Sequence, residues 1–158
     1  MLLLVTLLSF SIVLQVGPAR FASAREAVLA WDRRHRDDLS IDSTLAQTSG
    51  GKTDLTVEVI NLGGIATARY GEMDVFVDYT ASDSSRVVQR LAYISGAPGS
   101  NQWTMESISL DVFHPGLWDP GETATLLLQL VPEVKGGSQG TVLMATPRGV
   151  GAQASFSG

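Results

Sequence analysis

Two short stretches decide the fold: Asp54–Ile60, "DLTVEVI", and Glu72–Tyr79, "EMDVFVDY". In the first, Leu55, Val57 and Val59 share one face, with Thr56 and Glu58 opposite. In the second, Met73, Val75, Val77 and Tyr79 oppose Glu72, Asp74, Phe76 and Asp78. Alternate residues of a strand point to opposite faces, so this period of two describes strands with one face in a core and one in water. Further candidates follow at "RVVQRLAYI" (86–94), "QWTMESISL" (102–110), "ETATLLLQLV" (122–131), "QGTVLMAT" (139–146) and "VGAQASF" (150–156). Turn residues divide them at Asn61-Leu62-Gly63-Gly64, Ala97-Pro98-Gly99-Ser100, Pro115-Gly116, Asp119-Pro120-Gly121 and Lys135-Gly136-Gly137-Ser138. About seven short strands so spaced predict a mainly antiparallel, immunoglobulin-like β-sandwich over 54–158.

Upstream the pattern changes. Residues 1–16, "MLLLVTLLSFSIVLQV", carry no charge, and 17–40, "GPARFASAREAVLAWDRRHRDDLS", place Phe21, Ala24, Val28, Trp31 and Leu39 near one stripe at helical spacing. A long amino-terminal helix is expected over 1–40, apolar to residue 16, kinked near Gly17-Pro18 and amphipathic over 19–39. Residues 41–53, which take in all but the last residue of "TLAQTSGGKTD" (44–54), are expected to be a flexible connector. The expected fold class is therefore α+β in content: a helix followed by a β-sandwich, in a type IV pilin-like architecture.

The apolar run has three readings. As a secretory signal it has an h-region and the small residues Ala22–Ala24, but no positively charged n-region. As a membrane span it rises only ~24 Å, short of a ~30 Å hydrocarbon core. As a polymer core it offers Leu2, Leu3, Leu4, Val5, Leu7, Leu8, Phe10, Ile12, Val13, Leu14 and Val16 for packing. Hydroxyls at Thr6, Ser9 and Ser11 suit close helix–helix approach. The last two readings are compatible: a subunit held in the membrane before assembly can later bury the same helix in a filament.

Charge and composition exclude several functions. The chain has no cysteine, so disulfides and thiolate metal sites are absent. Residues 17–40 hold five arginines against four acids, whereas 41–158 hold six basic residues against twelve acidic ones. An acidic distal region repels phosphate backbones, and no nucleic acid is expected as a partner. No G-x-S-x-G, P-loop, dinucleotide fingerprint or H-E-x-x-H occurs, and no serine stands in a nucleophile context, so no enzyme and no cofactor are expected. Asp74 and Asp78 on one strand face are weak candidates for Ca²⁺ ligands, and a solvated face explains them equally well. His35 reads as a surface or inter-subunit hydrogen-bonder, and His114 has no nucleophile partner. Neither Asn61 nor Asn101 starts an N-glycosylation acceptor. Arg33, Arg34, Arg36, Asp37 and Asp38 mix both signs closely, as residues that set register between neighbouring copies would.

The carboxy-terminal half resembles a known family. "DVFHPGLWDPGETATLLLQL" followed by "GTVLMATPRGV" is similar to archaellum proteins, the archaeal rotary filament and its accessories. There a Trp-Asp/Asn-Pro-Gly-Glu hairpin precedes a long strand and a Thr-Pro-Asn-Gly-Val turn precedes the last one. Trp118, Asp119, Pro120 and Gly121 match the first motif, and Pro147 and Gly149 the second. Upstream, "DLTVEVINLGGIATARYGEMDVFVDYT" resembles the family's paired strands, so the likeness spans roughly 54–156. His114 and Arg148 stand where the family often has Asn. No class III signal peptide precedes residue 1, so the numbering is expected to begin at or after processing.

The resemblance implies two roles. An archaellin polymerises into an extracellular motility filament, with itself and a possible second subunit, motor and platform proteins as partners, and the inner membrane before assembly. A FlaF-type accessory stays membrane-anchored as a stator, its β-domain touching the surface layer. The filament is the first expectation here. The charged segment "AREAVLAWDRRHRDDLS" leans toward the accessory.

Overall fold

Inward-facing branched residues build the sheet strand by strand. A computed structural model of the chain describes residues 36–112 and 114–158. Within them run β1 (Leu39–Ser49), β2 (Lys52–Asn61), β3 (Asp74–Thr80), β4 (Arg86–Tyr93), β5 (Gln102–Ser109), β6 (Thr123–Leu130), β7 (Gln139–Ala145) and β8 (Gly151–Ser157). Leu55, Val57 and Val59 of β2 are buried, as are Met73 and, on β3, Val75, Val77 and Tyr79. Ala124, Leu126, Leu128 and Leu130 on β6 and Val142 and Met144 on β7 join them, with Trp103 and Leu91. Each such valine, leucine or methionine contributes ~1.5–3 kcal/mol by leaving water.

Hydrogen bonding gives one eight-stranded sheet in the order β1-β2-β6-β5-β4-β3-β7-β8. All neighbours are antiparallel except β4 and β5, which meet in parallel at only Ala92–Gln102 and Tyr93–Trp103. That corner folds the sheet over its own core. The two outer strands then come together, and the Thr44 hydroxyl on β1 donates to the Ser155 carbonyl on β8 at 3.0 Å. The sheet is thus nearly closed, which leaves little exposed edge at that seam.

The α+β, pilin-like expectation is overturned. The described residues are all-β, and their only helical piece is a single 3₁₀ turn, Tyr70–Glu72. Leu39, placed on a helical stripe by spacing, instead starts β1 and pairs with Asn61. The stretch expected as a connector is β1 itself, turned into β2 by Gly50 and Gly51 at φ of 63° and 80°. Two successive left-handed residues make the tight hairpin turn whose twist suits antiparallel strands. β1 escapes detection because it is an edge strand with one buried side chain, Leu39, while Leu45 is mostly exposed. Its pairing with β2, not its own alternation, makes it a strand. Residues 1–35, including the apolar run, its packing residues, the kink and His35, lie outside the described residues. Among the described residues no helix is long and apolar enough to cross a membrane.

Candidate functional site

At the end of the sheet where β1 begins, three connections converge: the link from β2 to β3, the turn before β6 and the turn between β7 and β8. The Asp119–Glu122 turn owes its shape to proline followed by glycine. Pro120 presets its own φ, and Gly121 sits at φ 86°, the left-handed position of a type II turn. The Glu122 amide closes the turn on the Asp119 carbonyl at 3.1 Å. The Glu122 carboxylate accepts the Asp119 amide at 2.8 Å. The Asp119 carboxylate meets His114 Nδ1 at 2.8 Å.

Trp118 anchors this turn. It is fully buried, and its indole N–H donates to the Glu122 carbonyl at 2.9 Å. Its amide donates to the Thr67 carbonyl at 2.8 Å, and its carbonyl accepts the Thr67 amide at 3.1 Å. Asn61, buried at the end of β2, ties the other side. Its Nδ2 donates to the carbonyls of Ile65 (2.9 Å) and Trp118 (3.0 Å), and its Oδ1 accepts the Gly63 amide at 3.1 Å. Its own carbonyl accepts the Gly121 amide at 2.7 Å.

Tyr70 holds the adjoining loop, its hydroxyl donating to the Gly116 carbonyl at 3.0 Å. The Gly116 amide in turn donates to Asp111 Oδ2 at 2.9 Å. Burial first, then the negative charges of Asp111, Glu122 and Asp119, pushes the Tyr70 phenol up to about 12. The phenol is therefore a permanent donor at neutral pH.

The Thr146–Gly149 turn uses the same residue types with the glycine one position later, so that Gly149, at φ 82°, closes the turn itself. The Gly149 amide donates to the Thr146 carbonyl at 2.9 Å. Its side-chain links reach the incoming chain: the Thr146 hydroxyl donates to Asp37 at 3.2 Å and Arg148 approaches the same carboxylate at 3.4 Å. The Asp38 carbonyl accepts the amides of Leu62 and Gly63 at 2.9 and 3.0 Å.

Between these connections lies a cleft of about 600 Å³, open to solvent. One wall is Ile65–Arg69 with Glu72; the other is Asp37, Asp38 and Thr146–Arg148; Leu39, Asn61 and Leu117 complete it. It offers apolar surface rimmed by both signs of charge. Of the turn-motif residues only Pro147 lines it; Trp118, Asp119, Pro120 and Gly121 follow the lining residue Leu117 in the chain, and Gly149 follows Arg148. Asp37 and Asp38 line it, Arg36 is exposed, and Arg33 and Arg34 lie outside the described residues.

Asp74 and Asp78 are elsewhere, on the outer face of β3, each occupied by an arginine. Asp74 pairs with Arg90 and Asp78 takes Arg86 through both oxygens, at 2.9 and 2.5 Å. The Arg86 hydrogen bonds hold the Asp78 carboxyl below its ordinary range. Among the described residues no group of three or more His, Cys, Asp or Glu could hold a metal ion.

Sequence reading missed Asn61, Tyr70 and Glu122. Asn61 was recoverable, because it continues the inward phase of Leu55, Val57 and Val59, and a polar residue in that phase must find buried partners.

No family model matches the chain, and no curated protein matches it. Solved structures do, and they share the class of fold found in periplasmic stator proteins of the archaellum. The archaellum periplasmic stator protein FlaG from Sulfolobus acidocaldarius aligns over 77% of this chain and 100% of its own, at 18% identity and a TM-score of 0.55. The complex of FlaF and FlaG from the same organism aligns over 75% of this chain and 88% of that one, at 18% identity and a TM-score of 0.53. The archaeal flagellum of Methanospirillum hungatei strain JF1 aligns over 97% and 89%, with 13% identity and a TM-score of 0.43, too low to speak for the fold. At these identities the likeness is one of fold.

Proposed function

We propose that this chain is a non-enzymatic accessory protein of an archaellum-like motility apparatus at the cell surface. In this reading it is anchored in the membrane through its amino-terminal apolar run and its β unit binds a protein partner there, in the manner of a stator. The observation that carries the reading is the fold likeness to FlaG, which takes in the whole of that stator chain. Three sequence features support it. The two proline-glycine turns stand in the order of archaellum proteins, sixteen uncharged residues open the chain, and the charged segment 32–38 suits an anchor's aqueous flank better than a filament core. The surface layer and other archaellum proteins are the partners this role implies.

A filament subunit is the competing role, and one experiment separates them. The full chain is expressed in membranes, purified in detergent and imaged by negative stain after detergent removal, beside a variant lacking residues 1–16. An accessory gives discrete particles, and the shortened variant leaves the membrane fraction. Fibres of uniform width from the full chain would overturn the accessory role.

A further inference from the structure

On the wall of the cleft formed by Ile65–Arg69, Thr67 makes an isolated antiparallel bridge to Trp118. Thr67 exchanges both backbone hydrogen bonds with Trp118. Successive residues of an extended chain aim their N–H and C=O groups to opposite edges, so Ala66 and Ala68 present theirs on the other edge. Neither has a backbone partner among the described residues, and both line the cleft. Ala66 is half-buried and Ala68 exposed, and a strand edge without partners is a ready template for another strand.

Side chains around that edge say what kind of strand fits. Leu39, Leu117 and Pro147 give apolar surface for alternate side chains. Arg69 and Arg148 stand on the two walls, mostly exposed, each with a single contact of 3.4 Å to a carboxylate, Glu72 and Asp37 respectively. A guanidinium has five donors, so each arginine retains capacity for a second carboxylate. The lining also carries three carboxylates, Asp37, Asp38 and Glu72, which repel a long acidic run and confine a ligand's acids to positions beside the two arginines.

We propose that the cleft is a strand-addition site. An extended peptide with an acidic residue at each flank and apolar residues between pairs its backbone with Ala66 and Ala68, its acids meeting Arg69 and Arg148. Main-chain hydrogen bonds supply affinity in this mode and the alternate side chains supply selectivity. The proposal deepens the binding-module reading and rests on it.

The test uses the ¹⁵N-labelled full chain in detergent micelles and the blocked peptide Glu-Val-Thr-Val-Glu. Two further peptides carry N-methyl groups on alternate residues, one blocking each edge of the strand. The Ala66 and Ala68 amide signals are expected to shift and their hydrogen exchange to slow on adding the parent peptide. One N-methylated peptide should bind about tenfold more weakly and the other much as the parent does. Arg69→Ala, at an exposed position that leaves folding intact, should weaken the parent peptide roughly threefold to tenfold, and a Gln-flanked peptide should mirror that loss. Unmoved Ala66 and Ala68 signals at millimolar peptide, or equal binding by both N-methylated peptides, would overturn strand addition. Undiminished binding of the Gln-flanked peptide would overturn the acidic flanks. Either failure leaves particles or fibres in the imaging experiment unchanged, so loss of the site and loss of the accessory role are told apart.

Discussion

The Asp119–Glu122 and Thr146–Gly149 turns use the same two residue types in two settings, with the left-handed glycine third in the first turn and fourth in the second. Both contain proline, both contain a glycine held at φ near 85°, and neither glycine has a neighbour within 4 Å of where a Cβ would sit. Yet the first turn is bolted to the core by Trp118, Asn61 and the buried Glu122, whereas the second is tied through a hydroxyl and an exposed arginine to Asp37. A turn motif specifies a bend; the side chains buried around it decide how much stability depends on that bend.

The largest expected effect falls on the first turn. Trp118→Ala removes a fully buried ring and the indole bond to Glu122, and should cost about 3–5 kcal/mol in chemical denaturation. A loss below 1 kcal/mol would place the two turns on an equal footing and break the contrast. Next comes Asn61→Ala, which strips the Ile65 and Trp118 carbonyls of a donor. Each orphaned buried group costs about 1–3 kcal/mol. Asn61→Asp, which keeps the acceptor for Gly63 but loses both donations, should be nearly as damaging.

Gly121→Ala and Gly149→Ala sharpen the comparison by isolating the backbone. With no clash in either turn, both should cost about 1–2 kcal/mol through left-handed strain alone. Markedly unequal losses would show that buried partners make the first turn less able to relax. At the small end, Arg148→Ala touches only a long, exposed ion pair and should shift stability by less than about 1 kcal/mol.

The pH dependence involves the neighbouring Tyr70. Its folded pKa is raised, so its contribution is complete below its ordinary pKa of 10.0 and is lost as pH climbs through about 12. An absorbance titration should find one phenol ionising near 12, and Tyr70→Phe should remove both that step and the accompanying loss of stability. Titration of every tyrosine near 10 would sever Tyr70 from the Gly116 loop.

Legibility in the sequence followed locality. The inward positions of β2 and β3 could be read from alternation alone, and the segments now seen as β4 to β8 were recognisable within a residue or so at each end. β1 was hidden, since its single buried residue Leu39 leaves no periodic signal. The cleft was half visible. Its turns announced themselves through proline and glycine, but Asn61 looked like an ordinary turn residue and Arg69 like ordinary surface.

What the amino-acid order determined alone was where the chain bends and which face of each strand avoids water, because both follow from backbone sterics and a two-residue period. Tertiary structure alone decided that β1 is a strand, that β4 and β5 meet in a short parallel corner, and that Ala66 and Ala68 open onto a cleft. Those outcomes depend on which backbones pair with which, and alternation within one strand does not encode its neighbour.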